Sequence, residues 1–122
     1  MAFGPHPDDV ELFCAGTLIK LKSQGYSTAI VDLTQGELST NGDVKTRQKE
    51  SELAAKILNL DMRYNLSIPD GEISSDEKNR NKVIHVVRKY RPAICLIPYW
   101  QDRHPDHRDA SLLFSELSLM PG

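Results

Sequence analysis

The chain has only two cysteines, Cys14 and Cys95, among 122 residues, and they form no C-x-x-C pair. That is too few for a disulfide framework, so a reducing, cytoplasmic setting is expected. A basic excess is also missing, because 15 Lys and Arg stand against 17 Asp and Glu for a net charge of -2. Such a balance gives no surface for a phosphate backbone, and nucleic acid is not an expected partner. Long apolar runs are absent too: Ala93-Ile94-Cys95-Leu96-Ile97 is far below the ~20 residues that cross a bilayer, so no membrane span is expected. The N-terminus carries no basic region, apolar core and cleavage site, and no export is expected. With no repeat, Gly/Ser linker or low-complexity tract, residues 1–122 are expected to form a single domain.

What is present is an alternation of two periodicities. Ser27 to Leu33 and Ala93 to Ile97 are short apolar runs that suit strands buried on both faces. Met62 to Ile68 is a weaker strand, and Met1 to Gly4 reads as the end of a strand entered part-way. Helical patterns fill 10–23, 44–58, 76–90 and the stretch from about Asp106 onward. In the second, Leu53, Ala54, Ile57 and Leu58 share a face opposite Arg47, Lys49, Glu50 and Lys56, as in an amphipathic surface helix. In the third, Val83, Val86 and Val87 form the apolar stripe between an acidic start and a basic end. Strand and helix in alternation predict an α/β fold with a parallel sheet and right-handed crossovers. Ligands of such sheets bind beyond the carboxyl ends of the strands, so the strand-to-helix loops are the place to look.

Those loops read GPHPDD (4–9), TQGELSTNGD (34–43), PDGEISS (69–75) and PYWQDRHPDH (98–107). Three of the four histidines lie in the first and last, and His-Pro-Asp occurs twice, at 6–8 and 104–106. Each proline biases the histidine before it to extended backbone and fixes its own φ, so the side chains are presented with little freedom. Imidazole and carboxylate together suit Zn²⁺ or Fe²⁺, and a catalytic zinc uses three protein ligands with a position left open. His6 and Asp9 from one loop, with His104 and His107 from the other, supply enough donors. Spacing leaves open which of Asp8 and Asp9 is a ligand and which a neighbouring base.

With PHPDD at 5–9 and HPDH at 104–107, the chain resembles the zinc-dependent N-acetylglucosamine deacetylases of the LmbE/PIG-L family. AFGPHPDDVE, DLTQGELSTNG, RQKESELAAKILNL and PYWQDRHPDH look most like the branch that acts on N-acetylglucosaminyl-malate in bacillithiol biosynthesis. The resemblance runs along nearly the whole chain. It implies a Rossmann-like three-layer sandwich with a mostly parallel sheet. It also implies a small N-acetylated sugar conjugate as partner, and removal of the acetyl group by metal-activated water. His6, Asp9 and His107 would hold zinc, with iron as the alternative. Asp8 would be the general base, His104 the acid or electrophilic residue, and Asp106 would orient His104 by accepting its ring N–H. Arg47 would contact the sugar hydroxyls, and Glu37 is a weaker candidate for the same pocket.

Family members are typically about twice this long, so a sheet shortened after the fourth helix is expected. The final SLLFSELSLMPG does not follow the family closely. An unpaired edge strand would then favour homo-oligomers.

Blander readings stand beside these. A single His-Pro-Asp is usually a capped turn; it is the two copies at matching loop positions that point to a site. Without the resemblance, Arg47 reads as a solvated helix face. His85, mid-helix among valines, reads as structural or surface, and Cys14 and Cys95 as small buried apolar residues. Tyr99 and Trp100 suit a sugar-pocket wall and a core or rim role equally. Among rival functions, an iron oxygenase with a two-histidine, one-carboxylate site is disfavoured by the α/β alternation and the H-x-x-D spacing. A nucleotide module is disfavoured because the first loop has no G-x-G-x-x-G and opens its helix with Asp8, Asp9 and Glu11, which would repel a pyrophosphate. A metal-binding module without turnover is the remaining alternative.

Overall fold

Parallel strands cannot be joined by tight turns, and here the helical segments between the apolar runs supply the crossovers. In a computed structural model, which describes residues 1–40 and 42–118, β1 (Ala2–Gly4), β2 (Ala29–Asp32) and β3 (Met62–Asn65) pair in parallel in the order β1-β2-β3. Ile30 aligns with Ala2 and Arg63, and Val31 with Phe3 and Tyr64. The helices are α1 (Asp9–Ser23), α2 (Val44–Ile57), α3 (Glu77–Tyr90) and α4 (Pro105–Ser118).

Successive strand residues point to opposite faces, and this feeds two cores. Phe3, Val31 and Leu33 pack with Val83 and Val86 of α3 and with Leu113 and Phe114 of α4. Ala2 and Ile30 pack with Val10 and Leu18 of α1 and with Leu58 just after α2. Helices therefore cover both faces of a parallel sheet, the three-layer α/β arrangement expected from the alternation. Among the described residues, no helix is long and apolar enough to cross a membrane.

Two elements depart from the sequence expectation. The apolar face assigned to α2 meets the core only at its end: Leu58, just after the helix, is buried, but Leu53 and Ile57 are 60% and 76% exposed, and no residue inside α2 is buried. The reason lies underneath it. The sheet surface there carries Arg63, whose Nε and Nη2 donate to Asp32 at 2.9 and 3.0 Å while Nη2 also reaches Glu11 at 2.9 Å. An ion cluster takes polar neighbours, so α2 turns Arg47, Gln48 and Ser51 toward it. The second departure is the run at 93–97, expected to be buried on both faces. It makes a single bridge, Leu96 with Ala2. Phe3 N–H donates to the Leu96 carbonyl and Leu96 N–H to that of Met1, both at 2.9 Å. No described strand pairs with its outer side, which leaves Ile94, Ile97 and Cys95 exposed. Cys95 is therefore not the buried apolar residue expected, and Cys14 is only partly buried. Of the SLLFSELSLMPG segment, residues 119–122 lie outside the described residues.

Backbone bonds carry the strand pairing on into the loops. Leu33 N–H donates to Gly4 at 2.8 Å, Thr34 N–H to Pro5 at 3.0 Å and Ile68 N–H to Leu33 at 2.9 Å. The loops after β1, β2 and β3 are thus tied together at the carboxyl edge of the sheet.

Candidate active site

The first His-Pro-Asp-Asp loop leaves β1 and closes on the start of α1. Pro5 and Pro7 are buried, and the Pro5 carbonyl also accepts the Thr34 hydroxyl at 2.9 Å. Asp9 folds back so that its Oδ2 accepts the His6 backbone N–H at 2.9 Å and lies 3.2 Å from His6 Nδ1. Asp8 takes φ 119°, in the left-handed region that favours glycine. Such a conformation in a non-glycine residue persists only where the surroundings impose it. Asp8 stays exposed, lining a cavity of about 610 Å³ with His6, Arg47, Asp70 and His104.

The second loop is set by Asp102 and by Pro105. Asp102 Oδ1 accepts the His104 N–H at 2.9 Å, and Pro105 occupies the first position of α4, where its missing N–H costs nothing. His107, one turn on, directs Nε2 at Asp9 Oδ2 across 3.3 Å and Nδ1 at Asp102 Oδ2 across 3.3 Å. His6, Asp9 and His107 therefore come together, each offering a donor atom within 4.8 Å of the others. A second group, His6, His104 and Asp106, meets the same limit. The ring centroids of His6, His104 and His107 are 5.0 to 5.8 Å apart.

The electrostatics call for a cation. Three carboxylates surround His6: Asp9, Asp106 with Oδ2 at 2.7 Å from Nε2, and Asp70 with Oδ1 at 3.2 Å. Burial alone would depress the imidazole, yet Asp9 and Asp106 hold it up to about 9. Asp9 itself, against the cost of burial, is kept below the usual carboxylate range by His6 and His107. Burial and the neighbouring Asp9 push Asp8 upward, partly offset by Arg47, which suits a carboxylate that must accept a proton. Two imidazoles and a carboxylate converging in a half-buried, anionic pocket fit a divalent transition metal.

Three sequence-based roles look different in space. Asp106 does not receive the His104 ring; its carboxylate faces His6, and its backbone N–H donates to His104 Nδ1 at 3.1 Å. The 104–107 turn is so tight that the main chain reaches the ring first. Glu37 does not line the cavity. It accepts the Asp70 N–H at 3.2 Å while Asp70 accepts the Leu38 N–H at 3.0 Å, and together they clasp two loops. Tyr99 and Trp100 are exposed and line no part of the His6 cavity, but Tyr99 lines a neighbouring cavity with Asp9, Asp102 and His107. Arg47 does line it, with Nη2 donating to Ser39 Oγ at 3.0 Å. His85 is exposed, away from the site.

Sequence reasoning passed over Asp70 and Asp102. Asp70 faces His6, and despite burial the Leu38 N–H and His6 keep its carboxyl below the ordinary value. The PDG at 69–71 signals a turn, and its place after the third strand at the loop edge was the available hint.

Comparison with known proteins follows the same line. A profile of the family described as "PIG-L: GlcNAc-PI de-N-acetylase" matches residues 1–118. The chain is 34% identical over 119 residues to the diacetylchitobiose deacetylase of Thermococcus kodakarensis, covering 89% of this chain and 45% of that one. It is similar to the conserved protein TT1542 of Thermus thermophilus, with a TM-score of 0.90 and 44% identity over 95% of this chain and 53% of that one. It is also similar to the N,N'-diacetylchitobiose deacetylase of Pyrococcus horikoshii, with a TM-score of 0.86 and 28% identity over 95% and 47%. The chain spans about half the length of these relatives.

Proposed function

Because the chain belongs to the PIG-L family, described as GlcNAc-PI de-N-acetylase, we propose that it removes the acetyl group from an N-acetylated sugar conjugate by hydrolysis. The observation that carries this reading is the convergence of His6, Asp9 and His107 beside a cavity lined by Asp8 and His104. His6, Asp9 and His107 would hold the metal, zinc with iron as the alternative, and it would supply Lewis acidity toward the amide carbonyl and make a water more acidic. Asp8, exposed at the cavity wall, takes the proton of the attacking water. His104 faces the same cavity and donates to the carbonyl oxygen as charge builds there, a contact worth roughly 3 kcal/mol in comparable sites. The amine then leaves with a proton and acetate is released. Asp106 and Asp70 hold His6 in place, and Arg47, which lines the same cavity, orients the sugar.

Within this substrate class two candidates have support. The sequence motifs favour N-acetylglucosaminyl-L-malate, whereas two of the relatives act on diacetylchitobiose by name. A cytoplasmic setting belongs to the same proposal and is supported by two free cysteines. The test is acetate release from both compounds by zinc-loaded protein, with metal counted on the same sample. Asp8→Asn should keep its metal and lose about 10²- to 10⁴-fold in turnover. A near-parental rate would remove Asp8 as the base. Bound metal with no acetate from either compound would favour a binding module without turnover.

A further inference from the structure

The cavity that holds His6, Asp8 and His104 is walled largely by charged and polar side chains, with Ser39, Thr40 and Arg47 among them. Leu38 is the exception, joined among apolar side chains only by Pro105. It is 70% exposed. A single exposed leucine is ordinary on a protein surface, but this one is anchored at a polar site. Its backbone N–H donates to Asp70 Oδ2 at 3.0 Å, and the other oxygen of that carboxylate lies 3.2 Å from His6 Nε2. One carboxylate therefore reaches from the Leu38 main chain to the ring of a histidine in the candidate metal set.

The side chain is placed by the facing loop. Gly71 has φ +79°, and a Cβ there would come within 3.3 Å of Leu38 Cδ1. Leu38 thus leans over backbone that carries no side chain of its own. The next residue along, Ser39, accepts from Arg47 Nη2 at 3.0 Å, so the same short loop joins the Arg47 wall to the His6 wall. An N-acetylated sugar offers this cavity hydroxyls, an amide and one methyl group, that of the acetyl. With the amide carbonyl directed toward His6, Asp9 and His107, the methyl gains by leaving water only where the wall is apolar. Leu38 supplies that surface.

We propose that Leu38 sets the acyl specificity of this site: the methyl of the acetamide rests against its side chain, and the contact limits the acyl group to a short one. The proposal rests on the deacetylase reading, and two readouts keep the failure of one apart from the failure of the other. One methylene more or less in an apolar contact discriminates by roughly 10- to 200-fold. In zinc-loaded protein, Leu38→Ala should therefore raise the ratio of kcat/KM for N-propionylglucosamine over N-acetylglucosamine at least tenfold, while Leu38→Met keeps the parental ratio within about threefold. Because the side chain is largely exposed, neither change should move Tm. An unchanged ratio in Leu38→Ala, with both substrates slowed alike, would overturn the proposal and leave Leu38 as a loop anchor. The second readout needs no turnover. With leucine methyls labelled with ¹³C and assigned through Leu38→Ala, the acetyl methyl of N-acetylglucosamine should give a nuclear Overhauser contact to the Leu38 methyls of the zinc-loaded chain. Contacts from the sugar ring protons alone, or none, would overturn it. If the parent chain releases acetate from no N-acetylated sugar, the deacetylase reading fails, and this contact alone decides whether an acetyl group docks on Leu38.

Discussion

At the scale of single residues, the site depends on side chains that hold other side chains. Asp102 sits 3.3 Å from His107 Nδ1, the ring nitrogen turned away from Asp9. A carboxylate in that place fixes the tautomer and raises the basicity of the nitrogen facing the metal. Asp102→Ala should therefore weaken zinc binding by about 10- to 100-fold, measured by competition with a chromophoric chelator. Unchanged affinity would show that the contact is incidental. Gly36 makes a different demand. It has φ +64°, and a Cβ there would strike Arg47 Nη1. Gly36→Ala should raise KM for the N-acetylated sugar several-fold by displacing Arg47, while zinc content stays at the parental level. If KM does not move, Arg47 is not a substrate contact. Most of the candidate site was legible because it is written in two short motifs: His6, Asp8 and Asp9 in one, His104, Asp106 and His107 in the other. Asp70 was not, since a carboxylate in a Pro-Asp-Gly turn looks like turn chemistry until Leu38 and His6 are placed beside it. Asp106 was assigned to the wrong histidine for a related reason: spacing gives proximity along the chain, while the 2.7 Å contact with His6 spans a hundred residues.

At the scale of elements, α3 is the helix whose sequence and structure agree most closely. Val83 and Val86 are buried as the periodicity requires, and Asp76 caps the start by accepting the Asn79 N–H at 2.8 Å. That bond keeps the Asp76 carboxyl below its ordinary value of 3.8. A carboxyl lowered on folding stabilises the fold above its ordinary value, and the stabilisation is lost as pH falls through the folded value. Asp76→Ala should thus lower Tm by about 3–5 °C at neutral pH, and the gap should close on acidification below the ordinary carboxylate range. Melts across that range give the answer, and a gap that ignores pH would mean the charged cap contributes nothing. The same periodic reasoning was right for Leu58, which reaches the core, but not for Leu53 and Ile57 on α2. Leu53 and Ile57 do share a stripe, but period alone cannot say which side of a helix meets the sheet. That was decided by Arg63 on β3, whose pairing with Asp32 and Glu11 is visible only once β2, β3 and α1 are assembled.

At the scale of the molecule, apolar surface is left over. Leu12 and Phe13 on α1 are 73% and 76% exposed, Leu53 and Ile57 on α2 are uncovered, and Ile94, Ile97, Tyr99 and Trp100 follow along the open side of the 93–97 run. Soluble monomers seldom leave contiguous apolar patches of more than a few hundred Å² uncovered. The 93–97 run adds backbone N–H and C=O groups with no described strand on the outer side, a ready template for pairing. The 122-residue chain should therefore self-associate as its concentration rises, and sedimentation velocity across a hundredfold range would detect it. Charge at the open side should oppose this: Ile94→Lys with Ile97→Lys places two ammonium groups where an incoming strand would pair, at positions that contribute little to the core because they already face outward. The double variant should stay monomeric to a higher concentration with little change in Tm. Association unchanged by these lysines but reduced by Leu53→Lys with Ile57→Lys would transfer the contact to α2, and a parent chain that remains monomeric throughout would show that these exposed faces are too scattered to drive it.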